Sequence, residues 1–193
     1  MEYRLRTPVS KETAKSLHVG DIVFISGMMV TARDKAHMRM AEYFKSRKEL
    51  PFKLDGSVVF HGAPIVKKSD DEWKIVAIGP TTSSRMNDLE PAVVEHGAAA
   101  IVGKGGMDPS VLKALHDCGA VYLSMTGGTA VLGARMVKKV LGLEWEDLGM
   151  AEAVWLLEVE DFGPLTVTMD SRMGDLYEDV RRRVSENIKG SRI

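Results

Sequence analysis

Three cations stand next to glycines, hydroxyls or a capping acid where the chain leaves one element for the next. Arg33 lies in Thr31-Ala32-Arg33-Asp34-Lys35-Ala36-His37, Arg85 in Gly79-Pro80-Thr81-Thr82-Ser83-Ser84-Arg85-Met86, and Lys104 in Gly103-Lys104-Gly105-Gly106-Met107. Each segment follows a short apolar run, and in α/β proteins ligands gather at the carboxyl ends of strands. The hydroxyl run before Arg85 is the strongest anion-binding candidate. Backbone N–H groups at a helix start point toward negative charge, and a guanidinium adds a planar two-pronged grip on a carboxylate. Lys104 offers a point charge in a loop whose glycines let a ligand approach the backbone. Asp34 and His37, three residues apart, meet on one helical turn. Structural readings of the same residues are simpler: hydroxyl caps, a capping Asp with a bonded His, and solvated cations. Thr126-Gly127-Gly128-Thr129 is a fourth glycine-rich turn, which the start of a helix explains by itself.

The rest of the chain restricts what these cations can serve. It has 193 residues and a formal net charge of −1, so no long-range pull toward nucleic acid or an anionic membrane exists. Three cations at three loops of a nearly neutral chain suit a small dianion such as a dicarboxylate. Cys118 is the only cysteine. It excludes an intramolecular disulfide and a resident iron–sulfur cluster, which needs three or four thiolates. No His/Cys metal-ligand spacing and no Ser-His-Asp arrangement is legible. Met1 to Thr7 lacks the apolar core of a signal peptide, and no run approaches a membrane span, so a cytoplasmic protein is expected.

The elements that must position these loops follow from periodicity and punctuation. Strands are expected at Ile22–Ser26, Ser57–Phe60, Trp73–Ile78, Ala98–Val102, Ala120–Ser124, Val154–Val159 and Leu165–Thr168. His61-Gly62-Ala63-Pro64 reads as an irregular corner and Lys67 to Asp71 as a polar connection. Helices are expected from Asp34 to before Pro51, up to about Glu95, over Pro109–Cys118 and Gly128–Leu141, and over Asp175–Ile188. Pro91 fits only near the start of its helix, or as a kink. Strands alternating with helices in the second half predict a parallel sheet with crossover helices. The class is therefore mixed α/β in a single domain spanning residues 1–193. The run Arg181-Arg182-Arg183 reads as a solvated or subunit-facing surface.

Taken in order, the Thr31–His37, Phe60-His61-Gly62-Ala63-Pro64-Ile65-Val66, Gly79–Met86 and Gly103–Met107 motifs make the chain resemble the C-terminal domain of class I fumarases. That domain is also the beta subunit of two-subunit fumarases and L-tartrate dehydratases. Similarity runs from about residue 5 to 170 and includes Asp161-Phe162-Gly163-Pro164-Leu165. Family members often carry Gly or Cys where Ala32 stands. The resemblance implies a swivelling β/β/α three-layer fold and reversible hydration of fumarate to L-malate. It also implies a 4Fe–4S cluster held by three cysteines of a partner alpha subunit in a hetero-oligomer. Carried over by position, Arg33, Arg85 and Lys104 hold the substrate carboxylates. Thr81 is the base, its alkoxide stabilised by Lys104 or Arg85, and Asp34 and His37 orient Arg33. L-tartrate dehydration and a non-catalytic dicarboxylate-binding module are the alternatives.

Overall fold

A computed structural model describes residues 1–69 and 72–190. Its centre is a seven-stranded mixed sheet. Strands β1 (Glu2–Arg6), β2 (Ile22–Thr31), β3 (Val58–Phe60), β6 (Ala100–Gly103) and β7 (Val121–Ser124) run parallel in that spatial order. The long β9 (Val154–Met169) pairs antiparallel with β7 and also with β2, which curls β2, β3, β6, β7 and β9 into a closed ring. β8 (Val137–Glu144) lines the far edge of β9, and β4 (Gly62–Ser69) and β5 (Glu72–Pro80) form a separate hairpin.

Side-chain alternation divides the interior in two, as a period of two demands. Val58, Phe60, Ala100, Val102, Val121 and Leu123 point into the curled sheet and meet Trp155, Leu157, Phe162 and Leu165 of β9. Their neighbours Val59, Ile101 and Tyr122 face outward. There they pack on α2 (Asp34–Lys45), α3 (Glu90–Glu95) and α4 (Pro109–Cys118) through Met40, Val93, Val111 and Leu115. Antiparallel strands over parallel strands over helices make the three layers expected of a mixed, partly parallel α/β domain. α1 (Lys11–Ser16), α5 (Ala130–Met136) and α6 (Leu176–Gly190) complete the chain. No helix among the described residues is long and apolar enough to cross a membrane.

Four expectations fail locally. The His61–Pro64 corner is the start of β4, where Pro64 pairs with Ile78; a two-stranded hairpin has free edges that accept proline. Lys67 to Ser69 continue that strand, and residues 70 and 71 of the expected connection lie outside the described residues. The Gly128–Leu141 helix stops at Met136 and becomes β8. Val137, Val140 and Leu143 mimic a helical face, but register shifts along β8 put residues three apart on one side of a strand. Finally, Val154–Val159 and Leu165–Thr168 are one strand. Asp161-Phe162-Gly163-Pro164 is absorbed as an irregularity against Val23 to Gly27 of β2.

Candidate functional site

Registry brings the candidate loops together. Thr31, Phe60, Val102 and Leu123 stand in successive register across β2, β3, β6 and β7. The segments beginning at Ala32, His61 and Lys104 therefore leave the same edge of the sheet. The fourth comes from β5: Thr81 N–H donates to His61 O at 2.6 Å, and Thr82 bridges to Lys104 in parallel. All three cations stand on this one rim.

Arg85 is the most organised of them. Its Nε donates to Asp34 Oδ1 at 2.9 Å, its Nη2 to Asp34 Oδ2, and its Nη1 to Thr81 Oγ1 at 3.3 Å. Asp34 therefore grips Arg85, whereas its Oδ2 stands 4.0 Å from Arg33 Nε. It is the first residue of α2 rather than its cap. Burial works to raise the Asp34 carboxyl, but hydrogen bonding from Arg85 outweighs it and holds the pKa below its ordinary value. Arg33 is held instead by Glu152, whose Oε1 lies 3.3 Å from Nη2 and whose Oε2 accepts from Lys35 N–H at 2.9 Å. Arg33 Nε is buried without a hydrogen-bond partner. Lys104 is exposed, its Cδ lying against Gly127 of the fourth turn. Among the described residues no carboxylate pairs with its ammonium.

Beneath the rim lies a buried polar chain. His37 Nδ1 bonds Arg33 O at 2.8 Å, and its Nε2 faces Glu90 Oε2 at 3.1 Å. His61 Nε2 faces the same oxygen at 2.7 Å, and its Nδ1 bonds Ser83 Oγ at 2.9 Å. Ser83 Oγ lies 2.8 Å from the Tyr122 hydroxyl, which reaches Gly105 O at 2.9 Å. His37, His61 and Glu90 are fully buried. Burial would raise Glu90, but His61 and His37 beside it bring its pKa down to about 2. Burial would lower His37, but the Glu90 charge and hydrogen bond leave it raised. For His61 burial prevails and the value falls. Gly103 is required here: a Cβ would stand 1.8 Å from Ser83 Oγ. Of this chain the sequence singles out only His37 as a supporting residue. Glu90 and Tyr122 carry no local signal, because their partners are 17 or more residues away.

Ligand atoms of His37, His61 and Glu90 lie within 4.8 Å of one another. Both imidazoles, however, address a single carboxylate oxygen at hydrogen-bond distances. Tetrahedral zinc ligands stand roughly 3.3 Å apart, given metal bonds of about 2.0 Å. An iron–sulfur cluster does not fit this chain, since Cys118 stands alone at the end of α4 with burial pushing its thiol pKa up.

The family described as "Fumarase C-terminus" matches residues 1–180. The chain belongs to that family. It is 48% identical over 190 residues to the putative L(+)-tartrate dehydratase subunit beta of Methanocaldococcus jannaschii, covering 97% of each. It is 36% identical over 187 residues to the L(+)-tartrate dehydratase subunit beta of Escherichia coli, with 96% of this chain and 92% of that one covered. A putative class I fumarate hydratase of Geobacillus stearothermophilus is 35% identical over 186 residues, which are 95% of this chain and 35% of that longer protein. This member of the Fumarase C-terminus family is thus a beta-type subunit of a class I fumarase-type hydro-lyase.

Proposed function

We propose that this chain is half of a hydro-lyase acting on a four-carbon dicarboxylate, with fumarate and L-malate as its pair. In this reading Arg33, Arg85 and Lys104 hold the carboxylates, and Thr81 moves the proton beside one of them. The contact of Arg85 Nη1 with Thr81 Oγ1 carries the proposal. A threonine hydroxyl is a poor base by itself, whereas an oxygen facing a permanently charged guanidinium is stabilised as an alkoxide. Asp34 holds the guanidinium plane, and His37 holds the backbone of Arg33. Free of any carboxylate partner among the described residues, Lys104 is the cation most available to a dianion. The Thr81 hydroxyl held against the guanidinium favours catalysis over a pure binding module.

A 4Fe–4S cluster on a partner alpha subunit would supply Lewis acidity toward the leaving hydroxyl, and the working enzyme would then be a hetero-oligomer, with the cytoplasm as its proposed location. The names of the Methanocaldococcus and Escherichia relatives favour a second reading, dehydration of L-tartrate. The test is to combine this chain with its alpha subunit, rebuild the cluster without oxygen, and follow fumarate hydration beside L-tartrate dehydration. Activity only in the mixture, higher on fumarate, is expected. Higher activity on tartrate replaces the first reading with the second, and none on either with a sound cluster overturns both.

A further inference from the structure

The buried chain beneath the rim can be read proton by proton. At one end stands Arg33 O, at the other Gly105 O, and a carbonyl oxygen only accepts. His37 Nδ1 therefore carries a hydrogen. If His37 were neutral, its Nε2 would be a bare lone pair 3.1 Å from an oxygen of Glu90. The contact requires a proton between them. His61 faces the same oxygen at 2.7 Å and has one hydrogen when neutral, on Nδ1 toward Ser83 or on Nε2 toward Glu90. Either choice leaves the His37–Glu90 contact in need of its own proton. Two neutral rings and a carboxylate thus fall one proton short. The 2.7 Å contact of His61 Nε2 with Glu90 Oε2 falls outside hydrogen-bond geometry, and Glu90 Oε1 is buried without a partner, so no spare donor among the described residues makes up the deficit.

We propose that His37, Glu90 and His61 are positioning residues that share one extra proton, resident on His37, and that this proton locks the substrate loops together. The proposal rests on the dicarboxylate reading of the rim and deepens it. His37 holds the carbonyl of Arg33; His61 holds Ser83, two residues from both Thr81 and Arg85; Tyr122 ties Ser83 to Gly105, next to Lys104. Loss of the proton leaves a buried carboxylate against the bare lone pair of His37 Nε2, an arrangement that must open. Its opening moves the backbone that carries all three cations. The charged and titratable groups around His37 are Glu90 of α3, His61 of the β3–β4 junction and Asp34 of its own helix. Tyr122 lies further along the chain, and burial raises its hydroxyl so that it stays neutral in the pH range concerned.

Nitrogen-15 NMR of the full chain, with labelled histidines and backbone amides, decides the question. We expect an imidazolium at His37 and a neutral ring at His61 at pH 6.5. As pH rises, His37 should lose its proton, and the amides of Arg33, Ser83 and Lys104 should shift with the same midpoint. In Glu90→Gln, His37 should become neutral well below that midpoint. A neutral His37 at pH 6.5 would overturn the proposal, as would loop amides that ignore the titration. So would stoichiometric zinc on these three side chains in the purified chain. In the cluster-loaded complex KM should rise about tenfold across the midpoint, with kcat less affected; a KM that ignores the midpoint counts against the loop lock. Because the ring and loop resonances need no substrate, an inactive complex bears on the dicarboxylate reading and leaves this one to the spectra.

Discussion

At the scale of single residues, the rim shows how one cation can be both held and offered. Asp34 takes two donors of the Arg85 guanidinium and leaves Nη1 on Thr81. A lysine in its place would supply the charge but neither the plane nor the fork. Arg85→Lys should therefore cost about 1.5–3 kcal/mol of transition-state binding, measured as a loss in kcat/KM. Unchanged kinetics would remove Arg85 from the site. Thr81→Ala should lower kcat far more than it raises KM, because in the proposed role Thr81 acts only in the proton-transfer step. Equal effects on the two would leave Thr81 a mere contact. The cations themselves were legible in the sequence, since Arg and Lys beside glycine and hydroxyl runs have a local signature. Their partners were not. Glu152 meets Arg33 from 119 positions away, and the Asp34–Arg85 pairing replaces the Asp34–Arg33 pairing that adjacency suggested.

At the scale of elements, the site depends on strands that end in step. Thr31, Phe60, Val102 and Leu123 share a row, so the loops after them start level and their backbones come within hydrogen-bonding reach. The short buried strands and the Pro109–Cys118 helix were readable, because punctuation by Gly and Pro coincides with their ends. Elements whose pairing bends a strand were not. β8 shows a three-residue apolar spacing that belongs to a bulged edge, and β9 runs straight through a Gly-Pro pair. The place where strand and loop meet most tightly is Gly103, the last residue of β6. Any side chain there collides with Ser83 Oγ, and with it the Tyr122 and His61 contacts. Gly103→Ala should destabilise the fold by about 1–3 kcal/mol, the usual range for overpacking. It should also raise KM by displacing the Thr81–Arg85 turn. A denaturant midpoint and KM both equal to wild type would show that Ser83 yields without consequence.

At the scale of the whole molecule, three buried groups of opposite chemistry make stability depend on pH from both sides. Glu90 has a folded pKa of about 2 against an ordinary 4.5, so its contribution is complete above 4.5 and is lost as pH falls toward 2. That difference corresponds to something on the order of 3 kcal/mol. His61, lowered by burial, contributes fully above 6.5 and loses its contribution as pH falls through its folded value. His37 works in the other direction. Its folded value lies above 6.5, so its contribution is complete below 6.5 and disappears as pH rises through that higher value. Together the trio predicts a melting temperature that peaks near pH 6.5 and declines on both the alkaline and the acid side. At about 2–4 °C per kcal/mol for a chain of this size, the acid limb from Glu90 alone amounts to roughly 10 °C. Replacing Glu90 with Gln removes the group whose charge sets both neighbours. The variant should melt lower at neutral pH, lose most of its acid limb, and lose the alkaline limb that His37 supplies. Calorimetric scans of wild type and variant from pH 3 to 9 make the comparison, and two parallel curves would mean that the trio carries no proton of consequence.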